Sequence, residues 1–179
     1  MKKIAVIVQS KRGTTQQYAG WIAEALDASL FEAASVKPAQ LADYDVVVYG
    51  GWLFASKISG VKLVTGNMDK IKSLVVFSVG LADPETTDWA ETLKVNFMPE
   101  HLAEIKVFHL RGGLDFKKLG LVEKGMMSMV KKAAAKKPRE KHTSEDIALL
   151  AIPPGGECNF MDKATIEPLV AYVRGLTGG

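Results

Sequence analysis

The sequence predicts an α/β fold in which one parallel sheet lies between two layers of helices. Short runs rich in Val and Ile alternate with amphipathic stretches, which is the pattern of βαβ units. Three of these runs are apolar at consecutive positions, as expected of strands that helices cover on both faces. The chain has 179 residues, about the length of one such domain, and we treat residues 1–179 as a single domain.

Five strands are predicted from the apolar runs. They cover residues 3–9, 30–34, 45–51, 72–80 and 105–110. The second run is short and mixed in polarity, which is typical of an edge strand. Right-handed crossovers between the strands place helices on both faces of the sheet, and ligands of such folds bind at the carboxyl ends of the strands.

Helices are predicted where apolar residues recur at helical spacing. The first helix covers residues 15–26. A second begins near Trp89 and ends before Pro99. The last helix begins as late as Thr165, because Pro168 then lies in its first turn, where proline is tolerated.

A long segment separates the fifth strand from the last helix, and it exceeds the length of a typical loop. We interpret residues 113–160 as an insertion within the single domain. Its first half has helical spacing and contains the clustered methionines Met126, Met127 and Met129. Because methionine fills irregular gaps, we expect this cluster to pack in the core. Residues 147–152 are a candidate short strand.

Composition excludes several classes of protein. Hydrophobic residues make up 47% of the chain and charged residues 24%, which excludes a disordered or fibrous protein. No apolar run approaches the roughly 18 residues of a membrane span, and no signal peptide is recognised, so we expect a cytoplasmic protein. A single cysteine, Cys158, excludes an intramolecular disulfide, and the scattered histidines predict no metal site.

The net charge of +3 comes from one segment. Residues 131–141, the basic segment, contain six of the 23 Lys and Arg residues but one of the 20 acidic residues. We interpret it as a solvated helix end, since cations are favourable near a helix C-terminus. The alternative is a contact with an anionic partner, either nucleic acid or a membrane surface. Nucleic acid is disfavoured, because the segment lacks aromatic residues for base stacking.

The loop after the first strand combines a glycine with hydroxyl and basic side chains immediately before a helix. It consists of Ser10, Lys11, Arg12, Gly13, Thr14 and Thr15. Free amides and partial positive charge at the helix N-terminus favour a phosphate there. An ordinary N-cap by Ser or Thr explains the same residues without a ligand, and both interpretations stay open. Neither a Walker loop nor the Gly-x-Gly-x-x-Gly fingerprint is present.

Two further loops follow strands at the same edge of the sheet. The loop after the third strand contains Gly51, Trp52, Leu53, Phe54 and Ala55. The loop after the fourth strand contains Val79, Gly80, Leu81, Ala82 and Asp83. Trp52 or Phe54 would stack on a planar ring, with unusual backbone angles at the flanking glycines, whereas a loop that covers the core is the alternative. Helix capping also explains the acidic residues around Asp83.

These loops resemble the flavin-binding loops of the flavodoxin-like family. The first resembles its phosphate loop in the pattern Ile4-Ala5-Val6-Ile7-Val8-x-Ser10-x-x-Gly13-x-Thr15. The other two resemble its second and third flavin loops in Tyr44-Asp45-x-Val47-x-x-Gly50 and Phe77-Ser78-Val79-Gly80-Leu81-x-Asp83-Pro84. The chain differs from the family pattern at Arg12, Gly51, Trp52 and Ala82.

The resemblance implies a flavodoxin-like three-layer α/β/α sandwich with strand order 2-1-3-4-5. It also implies FMN as the cofactor, held by the residues of the three loops, and flavin-mediated electron transfer or oxidoreduction. It implies no catalytic side chain, because the flavin carries the redox chemistry.

A narrower resemblance is to the flavodoxin-domain group that includes the menaquinone-dependent protoporphyrinogen oxidase of bacteria. It rests on the Met-rich helix and on the stretches Gly112-Gly113-Leu114-Asp115 and Asn159-Phe160-Met161-Asp162. This resemblance implies an FMN-dependent oxidoreductase whose redox partner or substrate is a quinone or a porphyrinogen. Peripheral contact with a membrane is a further expectation.

Two other functions use the same fold. A phosphoacceptor receiver domain needs acidic residues after the first and third strands to bind Mg²⁺, but those positions hold Gln9-Ser10 and Gly50-Gly51, which excludes it. A flavodoxin-like binding module without flavin, which uses the basic segment for an anionic partner, is the alternative function.

Overall fold

A parallel sheet of five strands lies at the centre of the described chain. The structure, a computed structural model, describes residues 2–10 and 13–178. The first six strands are β1 (Ile4–Gln9), β2 (Ser29–Glu32), β3 (Val46–Phe54), β4 (Lys57–Ile58), β5 (Leu74–Gly80) and β6 (Ile105–Arg111). The parallel order is β2-β1-β3-β5-β6, and the short β4 pairs antiparallel with the end of β3. Counting the parallel strands alone, this is the order 2-1-3-4-5, which confirms the predicted fold.

Helices lie on both faces of this sheet. The helices of the described chain are α1 (Thr14–Leu26), α2 (Lys62–Thr65), α3 (Ala90–Asn96), α4 (Pro99–Leu102), α5 (Leu121–Lys136), α6 (Ser144–Ala151) and α7 (Glu167–Thr177), of which α5 and α6 pack in a separate small core. Alternate residues of β1 face opposite layers, since Val6 packs in the cluster that includes α1 and α7, while Ile7 packs in the cluster that includes α2. Both side chains are at most 1% exposed, which confirms that the strand is covered on both faces. Pro168 lies in the first turn of α7, as predicted.

The second strand is an edge strand, also as predicted. β2 pairs with β1 in the described sheet, and most of its residues are exposed. Pro99, which was expected to follow a helix, lies in the first turn of the four-residue α4, where its fixed φ is compatible with a helix start.

The segment between β6 and α7 folds back on itself. β7 (Gly113–Asp115) and β8 (Glu157–Asn159) pair antiparallel, so the two ends of the segment lie side by side. Between them, α5 and α6 pack around a small core in which Leu149 and Ile152 join Leu81 of the main domain. The segment is therefore held close to the end of β5.

Two sequence predictions for this segment are wrong. Residues 147–152 form part of helix α6 and its C-cap, not a strand. The Thr143 hydroxyl accepts a hydrogen bond from Asp146 N at 3.1 Å, and the Asp146 carboxylate accepts one from Thr143 N at 2.9 Å. This capping box starts a helix just before the apolar run. The methionine cluster is not all core either, because Met126 and Met129 are 43% and 71% exposed.

The third strand is longer than predicted, because the loop expected from Gly51 onward continues β3 to Phe54 and turns into β4. Positive φ values occur at Ala55 (47°) and Ser56 (63°) in that turn, and neither Gly50 nor Gly51 has one. The two glycines serve close packing instead. A Cβ on Gly50 would lie 2.1 Å from the Phe77 ring, and one on Gly51 would lie 2.5 Å from a backbone oxygen.

Within the described residues, no helix has both the length and the apolar character needed to cross a membrane.

Candidate functional site

A cavity of about 160 Å³ lies at the carboxyl ends of the central strands. Nine residues of the three predicted loops line it: Ser10, Thr14, Thr15, Trp52, Leu53, Phe54, Val79, Gly80 and Leu81. Five other predicted residues lie outside its lining: Gly13, Gly51, Ala55, Ala82 and Asp83. Lys11 and Arg12 lie outside the described residues. The three loops therefore meet at one site, as their positions after the strands predict.

One end of the cavity is the N-terminus of α1. Gly13 precedes this helix with φ +92°, and no side chain of the described residues forms a capping hydrogen bond there. The ordinary N-cap interpretation of Ser or Thr is therefore not supported by the observed contacts. The first-turn amides of α1 keep their capacity to bind an anion. Thr14 and the buried Thr15 add hydroxyl groups at the same place.

Another part of the cavity lining is aromatic and apolar. The rings of Trp52 and Phe54 lie 6.2 Å apart at an angle of 53°. The indole Nε1 of Trp52 is buried and has no hydrogen-bond partner in the described chain. A buried N–H group without a partner costs free energy, and such groups are uncommon in native proteins. Nε1 has essentially no accessible surface although Trp52 lines the cavity, so the indole presents its ring, and not this N–H group, to a bound molecule.

The β3–β4 turn is held from the side. Ala55 and Ser56 adopt left-handed backbone angles that favour glycine, and this strain lies beside the cavity wall. The Asn96 side chain fixes the turn, because its Nδ2 donates to Ser56 O at 2.6 Å and its Oδ1 accepts from Ile58 N at 2.8 Å. Asn96 therefore positions the strand end that carries Phe54.

Arg111 fixes the third loop. Its Nε donates to Leu81 O at 3.0 Å, and its guanidinium lies 3.9 Å from the Asp83 carboxylate and 3.9 Å from the centroid of the Phe160 ring. Asp83 N also donates to the Ser144 hydroxyl at 2.8 Å. Asp83 thus anchors the loop, while Leu81 lines the cavity.

The remaining lining residues were not predicted as site residues. They are Gly112, Gly113, Leu114, Leu119, Glu123, Met126, Met127 and Glu145. Gly112 directly follows β6, so the same argument from the carboxyl ends of strands applies to it. A Cβ on Gly112 would lie 2.6 Å from Val79, so the glycine permits this close approach. No local sequence pattern marks the residues of α5 and α6 as site residues, because their position depends on how the segment between β6 and α7 folds back.

Two titratable groups near this end of the sheet have shifted pKa values. Partial desolvation of its carboxyl group beside the cavity raises the pKa of Glu145, and the neighbouring Asp146 raises it further, while Lys137 opposes the shift. Burial also lowers the pKa of His109 to about 4. The His109 ring stacks on Trp89 at 3.6 Å, and its Nδ1 lies 2.6 Å from the Ser78 hydroxyl. His109 is therefore neutral at pH 7. Among the described residues, no three His, Cys, Asp or Glu side chains form a group that could hold a metal ion.

Comparison with known proteins places these features in a family. The family model described as the flavodoxin domain matches residues 5–141. Curated proteins yield no match.

Several solved structures are similar to this chain. A flavoprotein in complex with FMN from Lactobacillus acidophilus NCFM has 13% sequence identity and a TM-score of 0.45, with 62% of this chain and 93% of that chain covered. An archaeal flavodoxin has 15% identity and a TM-score of 0.43, with 62% and 85% covered. Oxidised flavodoxin 2 from Bacillus cereus has 18% identity and a TM-score of 0.41, with 61% and 85% covered.

Proposed function

The chain belongs to the flavodoxin domain family, and from this membership we propose that it binds FMN in the cavity and takes part in flavin-mediated electron transfer or oxidoreduction. One observation carries the proposal. The uncapped N-terminus of α1 and the aromatic wall around Trp52 open into the same cavity. An anion-binding end and a flat apolar wall are the two elements that a flavin mononucleotide requires.

The phosphate fits the N-terminal end of α1. Backbone amides of its first turn and the hydroxyls of Ser10, Thr14 and Thr15 would donate to phosphate oxygens. No acidic residue lies in that first turn to oppose a phosphate. Gly13 leaves open space there, because a Cβ at this position would have no neighbour within 4 Å.

The ring fits between the second and third loops. Trp52 and Phe54 offer aromatic surfaces, and Val79 and Leu81 are apolar and nearly buried. Bound FMN would supply the redox chemistry, while these residues hold it, orient it and exclude water.

The substrate side of the site is formed by the inserted segment. Leu119, Met126 and Met127 line the cavity with apolar surface, and Glu123 and Glu145 add carboxyl groups. A small apolar redox partner is compatible with this lining, and a quinone or a porphyrinogen is the class that we propose to test first. The chain would then be an FMN-dependent oxidoreductase.

Reconstitution with FMN followed by anaerobic reduction tests this function. We expect the purified chain to take up one equivalent of FMN, with the visible flavin bands shifted from those of free FMN. The reduced, reconstituted protein should then be reoxidised by a quinone much faster than free reduced FMN is. Failure to take up FMN would refute the flavin function and favour the flavin-free binding module. Uptake without faster reoxidation would restrict the function to flavin binding.

A further inference from the structure

Helix α5 carries a stripe of exposed apolar side chains. Leu121, Val122, Met126 and Met129, here called the apolar stripe, are 89%, 77%, 43% and 71% exposed. The spacing of Val122, Met126 and Met129 places them on one face of the helix, and Leu121 borders that face. A single exposed Leu or Met is ordinary, but four that adjoin on one helix face mark an interaction surface.

The stripe is not the face by which α5 packs on its own domain. Met127, Val130 and Ala134 lie on the other side of the helix. Ala134 is 1% exposed, and Met127 and Val130 pack against the small core that includes Leu149. Val122 and Met129 therefore point away from the domain, and Met126 lies at the edge of the stripe next to the cavity.

Positive charge extends the same face toward the C-terminal end of α5. Lys132 and Lys136 follow Met129 at spacings of three and seven residues, so they share its face. Both are exposed, as are Arg139 and Lys141 just beyond the helix. The side chains of these four residues form no hydrogen bond or ion pair with another described residue.

Two other bases of the basic segment are already engaged with the domain. Lys137 forms an ion pair with Asp146 at 2.8 Å, and the Lys131 ammonium donates to Ile152 O. The segment is thus not wholly a solvated helix end. Its engaged bases fix α5 on the domain, and the other four present unpaired charge beside the apolar stripe.

We propose that this face of α5 docks on the surface of an anionic lipid bilayer. The apolar stripe would enter the boundary between headgroups and acyl chains, and Lys132 and Lys136 would contact lipid phosphates. Binding of a helix to the membrane interface strengthens with the apolar area that it buries and with its attraction to anionic lipids, and the apolar stripe and the neighbouring lysines supply these two contributions. The flexible lysine stems allow each ammonium group to reach the headgroups while the helix lies deeper.

A bilayer matches this surface better than nucleic acid does. The side chains of the apolar stripe form no hydrogen bond or ion pair with a phosphate backbone, and the stripe contains no aromatic residue on which bases could stack. With 16 residues, or about 24 Å, α5 is also too short to span a bilayer, so it would lie in the plane of the interface.

Docking would bring the cavity to the membrane surface. Met126 belongs to the apolar stripe and also lines the cavity. The cavity therefore adjoins the docking face directly. The docking proposal itself does not depend on FMN, because it rests on the surface of α5 alone.

Sedimentation with lipid vesicles tests the proposal on the full chain. We expect the protein to sediment with vesicles of phosphatidylcholine and phosphatidylglycerol (7:3), and at least tenfold less with phosphatidylcholine alone. Binding to the anionic vesicles should fall at least fivefold when NaCl is raised from 50 to 500 mM, because lysine–headgroup attraction is screened. No sedimentation with anionic vesicles, or equal sedimentation with both vesicle types, would overturn the proposal.

Two double variants locate the contact. Val122→Ser with Met129→Ser should reduce the vesicle partition coefficient at least tenfold. The matched control is Val95→Ser with Met98→Ser, which removes exposed apolar side chains (42% and 56% exposed) outside α5, and it should bind like the wild type. Equal losses in both double variants would show that binding is not made by the stripe.

A variant that should bind vesicles more strongly than the wild type complements the variants that should bind more weakly. Val122→Trp places an aromatic anchor in the stripe and should strengthen partitioning severalfold, since indole favours the interface. Unchanged partitioning would contradict insertion at this position.

Light scattering after gel filtration completes the test, and we expect a monomer at all concentrations. A dimer that Val122→Ser with Met129→Ser disrupts would assign the stripe to a second copy of the chain and overturn the lipid proposal.

Discussion

Replacing Gly13 by Asp is expected to weaken FMN binding more than replacing it by Asn. Gly13 is exposed, precedes α1 with φ +92°, and leaves open space where a Cβ would be. Any side chain at this position experiences the same backbone strain, so Asn is a control for that strain. Asn and Asp are also comparable as helix N-caps. The two variants therefore differ mainly in one negative charge beside the proposed phosphate.

The size of the difference follows from Coulomb's law. Two unit charges about 6 Å apart interact by about 0.7 kcal/mol in water and by about 2.8 kcal/mol at an effective dielectric constant of 20. The FMN phosphate carries between one and two negative charges, and Gly13 lies at the surface, where solvent screening is strong. We therefore expect about 1.4–3 kcal/mol, which corresponds to roughly a 10- to 150-fold loss of affinity of the Asp variant relative to the Asn variant.

Flavin fluorescence titrations of both variants measure this difference. Riboflavin, which has no phosphate, is the control ligand and should bind the two variants equally. Equal FMN affinities for the Asn and Asp variants would refute the placement of the phosphate at the N-terminus of α1. A difference that is just as large with riboflavin would refute the electrostatic reasoning.

Three further substitutions test other parts of the structure. Trp52→Ala removes aromatic surface from the cavity lining, so FMN affinity should fall by about 1 kcal/mol, or roughly fivefold. An unchanged dissociation constant in the same titration would show that Trp52 does not contact the flavin. Thr143→Ala removes the N-cap of α6 and should lower the free energy of unfolding in urea by about 1 kcal/mol. Thr143→Ser keeps the capping hydroxyl and should be as stable as the wild type. Equal stabilities of the Ala and Ser variants would contradict the capping box. Burial lowers the pKa of His109 from 6.5 to about 4 in the folded chain, so as the pH falls this imidazole is protonated in the unfolded chain first. Protonation of the unfolded chain should reduce the free energy of unfolding by about 2 kcal/mol between pH 7 and pH 5. His109→Gln should remove that part of the pH dependence in urea unfolding, and an identical pH dependence would contradict the burial of a neutral imidazole.

The central sheet could be predicted because its signals are local. Consecutive apolar residues, as in residues 4–8, indicate a strand buried on both faces whatever the rest of the chain does. The mixed polarity of the second strand is also a local signal, and it indicated an edge strand. The three loops of the site followed from the strand ends, since parallel strands place their carboxyl ends at one edge of the sheet.

The features that were missed depend on contacts between distant residues. Gly50 and Gly51 were expected to adopt unusual backbone angles, yet they continue the strand, and only glycine fits there because the Phe77 ring and the backbone of Ser59 lie so close. The apolar run that begins at Ile147 suits either a strand or a helix, and the polar cap at Thr143 decides the outcome.

The position of the inserted segment at the site also depends on contacts between distant residues. Met126 and Met127 line the cavity because β7 pairs with β8 and directs α5 toward the end of β5. No residue within α5 encodes that direction by itself. Its exposed face could likewise not be separated from its packed face by composition alone, because methionine occurs on both.

Equilibrium titration of the wild-type chain with FMN, followed by flavin fluorescence and by the visible spectrum, tests the central claim most directly. The structure predicts saturation at one FMN per chain and much weaker binding of riboflavin, because the α1 N-terminus contributes only when a phosphate is present. Absence of saturable FMN binding would contradict the assignment of the cavity as a flavin site.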